Sequence, residues 1–507
     1  MKKISGNEAQ RKAACAALAE RIGIGWDEGL KKALASSVAQ LCEYVLADDE
    51  ATGSALDAER DAQAVARRVI APLLQGRLQR RADAVDGQDK DETKCGSCGG
   101  ATESQGRRFR QWQGLSGPLR LRRRYRHCET CHRGWAKADG VLGLGDSAFT
   151  PRLEEVVTMM ATTVPHGMAV QMVDEMLGTK VSDKGVQQMV ERRAQGVGAA
   201  LDKEASECAP YDKTGLPVPR PSRPADAKTA VEKVAYLEMD GVVPMTREEL
   251  VGKELSPADR RKQQRAKRAG ARGGRGRRYR LVGREVKNAV LYAGSACAAE
   301  SAGRGCIVEK RYVSHLGDWK EFARQVWVEL QRQNFDHAKT LVVISDGAEW
   351  IRSLCAWLPI PVLPILDLFH VKHRIWEVAN AIHGQHTEAA RRFAQTQCTR
   401  VEAGEAKAVI EALRFLRPRR SDVSDLVDAL AEYLTNNLDR MDYPRYRAMG
   451  LRVGSGAVES ANYHVTGARL KLQGMRWSEA GAREMAYLRA DLFNHHWAAR
   501  TRALLAH

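Results

Sequence analysis

The run Thr340-Leu-Val-Val-Ile is apolar or β-branched throughout and stops at Ser345-Asp346-Gly347. A short run of that kind with a turn signal behind it predicts a strand covered on both faces, with Asp346 where it ends. A second run, Val231 to Val243, carries Asp240-Gly241 near its end. Further strands are predicted near Asn288–Ala293, Cys306–Val313 and Pro361–Leu366, and an amphipathic helix over Gly317–Leu330. From Asp367 to about residue 440 the pattern is helical. The chain turns back around Tyr443–Tyr446, and Gly454-Ser-Gly leads into a helix with Glu459 in its first turns.

Upstream, residues 1–88 read as helical, with Val65, Val69, Leu73 and Leu74 at helical spacing; Pro72 is expected to kink or divide that helix. Asp86 to Lys94 reads as a polar linker. Between residues 107 and 126 arginines alternate with Phe109, Trp112, Leu119, Leu121 and Tyr125, which suits short strands with one basic face. Thr150-Pro-Arg-Leu-Glu predicts a helix start, with Thr150 as cap and Glu154 at capping spacing. Its apolar positions include Val156, Met159 and Met160. A second helix follows through Val170, Val173 and Leu177, and a third is capped by Ser182. Helix, turn and capped helix, with Lys184, Arg192 and Arg193 expected outside, fits a helix-turn-helix or a plain helical hairpin. Five prolines between residues 209 and 228 mark a linker.

Three antiparallel-type strands, a helix and further strands is the order of an RNase H-like core. The expected architecture is multidomain α+β and α/β. It has a helical region (1–88), a zinc ribbon (89–146), a helix-turn-helix-like segment (147–204) and a Pro-rich linker (205–230). A mixed-sheet core follows (231–366, with a basic loop at 250–280), then an all-helical insertion (367–445) and the rest of the core with the Glu459 helix (446–507). In that order the first and fourth strands are neighbours, so Asp240 and Asp346 are expected side by side.

Charge sharpens the picture. Lys and Arg number 80 against 63 Asp and Glu, a net charge of +17 that favours a polyanionic partner, nucleic acid before anionic membrane. No apolar stretch reaches membrane-spanning length and the N-terminal residues hold no signal core, so the expectation is a cytoplasmic, nucleoid-associated protein. Its cysteines should then be reduced, and paired ones point to metal. Cys95-Gly-Ser-Cys98 and Cys128-Glu-Thr-Cys131 are such pairs: four thiolates close a tetrahedral structural Zn²⁺ site. His127 and His132 flank the second pair as possible substitutes. Arginines and lysines from Lys253 to Arg280, among them Arg261, Lys262, Arg265, Arg277 and Arg278, lack any apolar period. They predict a disordered loop that orders on DNA phosphates. Arg469, Lys471, Arg476 and Trp477 are further candidates for phosphate contact or base stacking, with a core role open for Trp477.

Asp240, Asp346 and Glu459 together would suit hard cations. Two Mg²⁺ or Mn²⁺ ions about 4 Å apart can hold the attacking and leaving oxygens of one phosphate. Each Asp-Gly alone reads first as a strand-end turn, and Glu459 as a residue favourable at a helix N-terminus.

The segments LEMDG at Asp240, ISDGAEW at Asp346, DLFHVKHR from Asp367 and GSGAVESANYHVTGARLKLQGMRW from Gly454 resemble DDE transposases of bacterial insertion sequences, the ISKra type most of all. Asp367-x-x-His370 is similar to a signature of the wider Mutator-like group. The resemblance implies an RNase H-like core with a helical insertion, Mg²⁺-dependent strand cleavage and transfer, and Asp240, Asp346 and Glu459 as the metal-binding triad. It further implies His370 as an accessory active-site residue. Double-stranded DNA, both element ends and target, is the expected partner, bound by a homodimer or larger assembly. A nuclease that does not join strands, and a domesticated, non-catalytic zinc-ribbon DNA-binding protein, are the alternatives.

Overall fold

The computed structural model describes residues 28–46, 54–88, 94–212, 214–219, 221–250, 255–268, 279–299 and 305–505, and positions 13, 17, 20 and 21. The chain forms two compact units, Met1–Val190 with Thr501–His507, and Glu191–Arg500. No helix among the described residues is long and apolar enough to cross a membrane.

The first unit begins with helices α1 (Glu28–Leu46) and α2 (Ala55–Gln88), packed on each other. Helix α2 is not divided at Pro72, one of the two outcomes expected there. The hydrogen bond lost there, a penalty of about 3 kcal/mol, is offset by tertiary contacts further along α2. A three-stranded sheet lies beside it: β1 (Thr102–Gly114), β2 (Gly117–Cys128) and β3 (Gly134–Trp135). Gln75 and Gln79 of α2 accept from the backbone N–H groups of Arg120 (3.3 Å) and Arg122 (2.9 Å), and Asp86 accepts from that of Arg124 (2.8 Å). Side chains one or more turns apart on α2 thus satisfy alternate residues of β2. Asp86, expected in a polar linker, is helical, buried and ion-paired with Arg107. Trp112, Leu119, Leu121 and Leu144 form the small core, with Leu78 against it.

Helix α3 (Lys137–Val141) supplies Asp139, whose carboxylate binds buried Arg123 through two contacts of 2.9 and 3.0 Å. Helices α4 (Pro151–Thr163), α5 (His166–Leu177) and α6 (Asp183–Glu207) follow. Two details differ from the sequence reading. Thr150 makes no side-chain cap on α4, and Glu154 binds the Ser147 hydroxyl while the Thr150 N–H donates to the Gln113 carbonyl at 2.8 Å. The buried stripe of α4 is Leu153, Val157 and Ala161, while Met159 is exposed. Ser182 does cap α6, accepting from the Gly185 N–H at 3.0 Å.

In the second unit the expected Pro-rich linker is docked. Arg332 joins Glu204 and Asp226, Arg223 joins Asp336, and Trp327 donates its indole N–H to the Cys208 carbonyl. Arg193, expected outside, lies over the Trp497 ring at 4.5 Å. The central sheet has five strands, in the order β10-β7-β4-β11-β12. These are β4 (Val234–Val242), β7 (Val286–Ala293), β10 (Arg311–Leu316), β11 (Thr340–Ser345) and β12 (Leu363–Leu366). β10, β7 and β4 are antiparallel neighbours; β4, β11 and β12 are parallel. A hairpin of β5 (Met245–Glu249) and β6 (Tyr279–Gly283) extends from β4, and a small pair, β8 (Cys297–Ala299) and β9 (Gly305–Ile307), precedes β10. Thus the single strand expected over Cys306–Val313 is two.

Helix α7 (Pro257–Arg268) occupies part of the expected basic loop. It forms without an apolar stripe because Ser256 accepts from the Asp259 N–H at 3.1 Å, a proline opens it, and good helix formers follow. Helices α8 (Trp319–Arg332) and α9 (Glu349–Trp357) enclose one core with Leu237, Met239, Leu291 and Val343. The other face of the sheet shares a core with α10 (Leu368–His383), α11 (Glu388–Glu402), α12 (Ala406–Phe415), α13 (Ser421–Asn436) and α14 (Tyr443–Ala448). Two-sided burial explains why β11 reads as an unbroken apolar run. Helix α15 (Gly456–Ala461) returns to β4 and β7; a π-turn segment, Asn462–Gly467, continues it, and α16 (Glu479–Phe493) and α17 (Trp497–Leu505) end the described chain.

Candidate active site and metal centre

Parallel pairing of β4 and β11 runs to Met239 opposite Ser345. Asp240 comes next on β4 and Asp346 directly follows the last residue of β11, so the two acids leave neighbouring strands side by side. Asp346 turns the chain at once: its Oδ1 accepts from the Ala348 N–H at 3.0 Å, and Gly347 takes the left-handed backbone (φ 94°) that the turn requires. Tyr433 of α13 donates its hydroxyl to the Asp346 carbonyl at 2.7 Å, which ties that helix to this strand end.

Asp240 is held from two sides. Its Oδ1 accepts from the Gly241 N–H (2.7 Å) and its Oδ2 from the side-chain amide of Asn462 (2.5 Å). Asn462 in turn accepts from Asn288 (2.7 Å), which accepts from Ser314 (2.6 Å) and Thr466 (2.8 Å). Burial, and then the charges of Asp346 and Glu459, push the Asp240 carboxyl up to about 6. Glu459 is exposed on α15; partial burial and the charge of Asp367 raise its pKa, and His370 opposes that rise.

Asp367 is buried. It caps α10 by accepting from the Phe369 N–H (2.9 Å) and accepts from the Ser455 hydroxyl at 2.7 Å, just ahead of α15. Gly454 lies close beside it: a Cβ there would sit 2.6 Å from the Phe369 ring and displace it. His370 is half-buried, 6.5 Å from the Tyr433 ring between centroids.

The fold therefore brings Asp240, Asp346, Glu459 and His370 into one electrostatic neighbourhood. It does not bring the three acids into a tight cluster: among the described residues, the four cysteines are the group whose ligand atoms lie within 4.8 Å of one another. Asn462 and Asn288 escaped the sequence reading. The signal available was Asn462 three residues after Glu459, one helical turn along.

The cysteines converge from two turns. Cys95 Sγ lies 3.8 Å from Cys131 Sγ, and Cys98 Sγ 3.5 Å from Cys128 Sγ. Sulfurs bound tetrahedrally at about 2.3 Å from zinc would sit about 3.8 Å apart, so this cluster can hold a structural Zn²⁺. The N–H of Cys131 draws the Cys128 thiol down to about 6, favouring the thiolate a metal needs. His127 and His132 stand outside the cluster.

Of the candidate DNA contacts, Arg261, Lys262 and Arg265 are exposed on α7, and Lys471 and Arg476 are exposed further on. Arg277 and Arg278 lie outside the described residues. Arg469 is a correction: it is 1% exposed and packs over the Trp477 ring at 4.9 Å, out of reach of a phosphate. Trp477 is half-buried; its backbone pairs with β5 and its indole N–H donates to the Leu470 carbonyl at 3.2 Å.

The profile of an uncharacterised protein family (UPF0236) matches residues 278–502. That span includes Asp346, His370 and Glu459 but neither Asp240 nor the four-cysteine cluster. A comparison with curated proteins finds no match.

Proposed function

We propose that the protein is a DDE transposase that binds insertion-sequence ends and catalyses metal-dependent DNA cleavage and strand transfer. The observation that carries this reading is the neighbouring position of Asp240 and Asp346, with Glu459 in electrostatic reach. The five-stranded order, three antiparallel strands joined to two parallel ones, supports an RNase H-like core, and the resemblance to ISKra-type transposases supports the reaction. The donor set is oxygen alone, as Mg²⁺ or Mn²⁺ prefers. When bound, a pair of such ions supplies a polarised attacking oxygen and neutralises the phosphate. The protein's part is placement. Asp240, Asp346 and Glu459 would hold the ions, while Asn462 and the Gly241 N–H fix the Asp240 carboxylate. His370 would act beside Glu459. Exposed Arg261, Lys262 and Arg265, the basic zinc ribbon and helices α4–α6 would engage DNA backbone and element ends.

Full-length protein incubated with labelled DNA from the flanks of its own gene tests this. Cleaved and joined products should form with Mg²⁺ and disappear in Asp240→Asn, Asp346→Asn and Glu459→Gln. Normal cleavage by those variants would sink the reading. Cleavage without joined products would identify a nuclease, and metal-independent binding alone a non-catalytic DNA-binding protein.

A further inference from the structure

Glu238 stands two residues before Asp240 on β4 and is 0% exposed. A buried carboxylate is costly unless its oxygens are satisfied. Here they are: Oε1 accepts from the Tyr292 hydroxyl of β7 at 2.5 Å, and Oε2 accepts from the backbone N–H groups of Ala457 and Val458 at 2.9 Å each. Those two N–H groups belong to the first turn of α15, and the next residue is Glu459. Four residues beyond Val458, Asn462 reaches Asp240 Oδ2.

The two links form a ladder. On a strand, residues i and i+2 face the same side and lie about 6.7 Å apart. On a helix, four residues advance about 6 Å. Glu238 and Asp240 therefore match Val458 and Asn462 rung for rung, and Glu459 lies between the rungs. Moving the Glu238 rung would slide α15 along β4 and carry Glu459 away from Asp240.

We propose that Glu238 is a positioning residue: its carboxylate fixes the first turn of α15 against β4 and so sets the place of Glu459 relative to Asp240. This rests on the metal-site reading above. A plain packing role predicts lost stability and nothing else, so the test reads metal affinity. Mn²⁺ binding to full-length protein is measured by electron paramagnetic resonance, beside DNA affinity and Mg²⁺-dependent cleavage.

Glu238→Ala should weaken Mn²⁺ binding by about tenfold, as other supports of metal ligands do, and slow cleavage, with DNA affinity within about twofold of wild type. Glu238→Gln keeps the shape and one acceptor for the two N–H groups, and should restore most of the Mn²⁺ affinity. Glu238→Asp keeps the charge but shortens the reach, and should fall between; it gives the answer if the alanine variant does not fold. Wild-type Mn²⁺ affinity in Glu238→Ala or Glu238→Asp would overturn the inference, as would a glutamine variant as impaired as the alanine one. Asp240→Asn separates the two ideas. If wild type binds no Mn²⁺ that depends on Asp240, the metal-site reading itself has failed.

Discussion

Asp240 and Asp346 follow the paired residues Met239 and Ser345 on adjacent parallel strands, and the charge of Asp346 bears on the Asp240 carboxyl. Burial and that neighbour hold the Asp240 carboxyl at about 6, well above the usual carboxylate range. A raised acid favours the folded state when protonated, so this contribution is present at low pH and is lost as pH rises through about 6. In metal-free protein Asp240→Asn should therefore stabilise at pH 8, by roughly 1 kcal/mol after discounting for solvent screening, and less at pH 5. Thermal melts across that range check it: an asparagine variant with no gain at pH 8 would contradict the burial and charge coupling. Divalent cations should raise the melting temperature of wild type and not of the variant.

Much of this arrangement was legible because it rests on coarse signals. The apolar runs of β4 and β11 ended in Asp-Gly, and strand order alone made the two acids neighbours. The paired cysteines declared their cluster by spacing. What stayed hidden depends on tertiary context. Asn462 reaches Asp240 from the start of a π-turn, whose extra residue per turn no periodicity reveals. Glu238 looks like an outward-facing polar residue, yet β4 is covered on both faces. Arg469 looks like a surface charge, but it is buried with its guanidinium over the Trp477 ring. Helix α7 forms from capping and propensity, without the apolar stripe by which helices are recognised.

The four-cysteine cluster should carry one zinc per chain, removable by chelators and lost in Cys128→Ser. Because ligand binding is coupled to folding, removal should loosen the β1–β2 region, visible as lost near-ultraviolet dichroism from Trp112. Zinc-free protein with an unchanged spectrum and melting profile would rule out a structural metal.

Gln79 meets Arg122 of β2 through both ends of its amide, donating to the carbonyl at 2.6 Å and accepting from the N–H at 2.9 Å. That contact stands in for a neighbouring strand. Gln79→Ala should cost about 1–2 kcal/mol and uncover a strand edge prone to pairing with other chains. Light scattering on heating should show earlier aggregation for the variant, whereas Gln79→Glu, which keeps the acceptor, should fall between.

Arg261, Lys262 and Arg265 are exposed on α7, whereas Arg469 is buried, and this separates two kinds of arginine variant. If α7 lies on DNA phosphates, each neutralised contact contributes about 0.9 to the slope of log affinity against log salt. Replacing all three residues with glutamine should make that slope shallower by up to about 2.7, with melting temperature unchanged. Arg469→Ala should do the reverse. It removes the stacking on Trp477, beside the backbone pairing that joins Trp477 to β5, so it should lower the melting temperature and leave the salt slope alone. An unchanged slope in the triple variant would remove α7 from the proposed DNA interface.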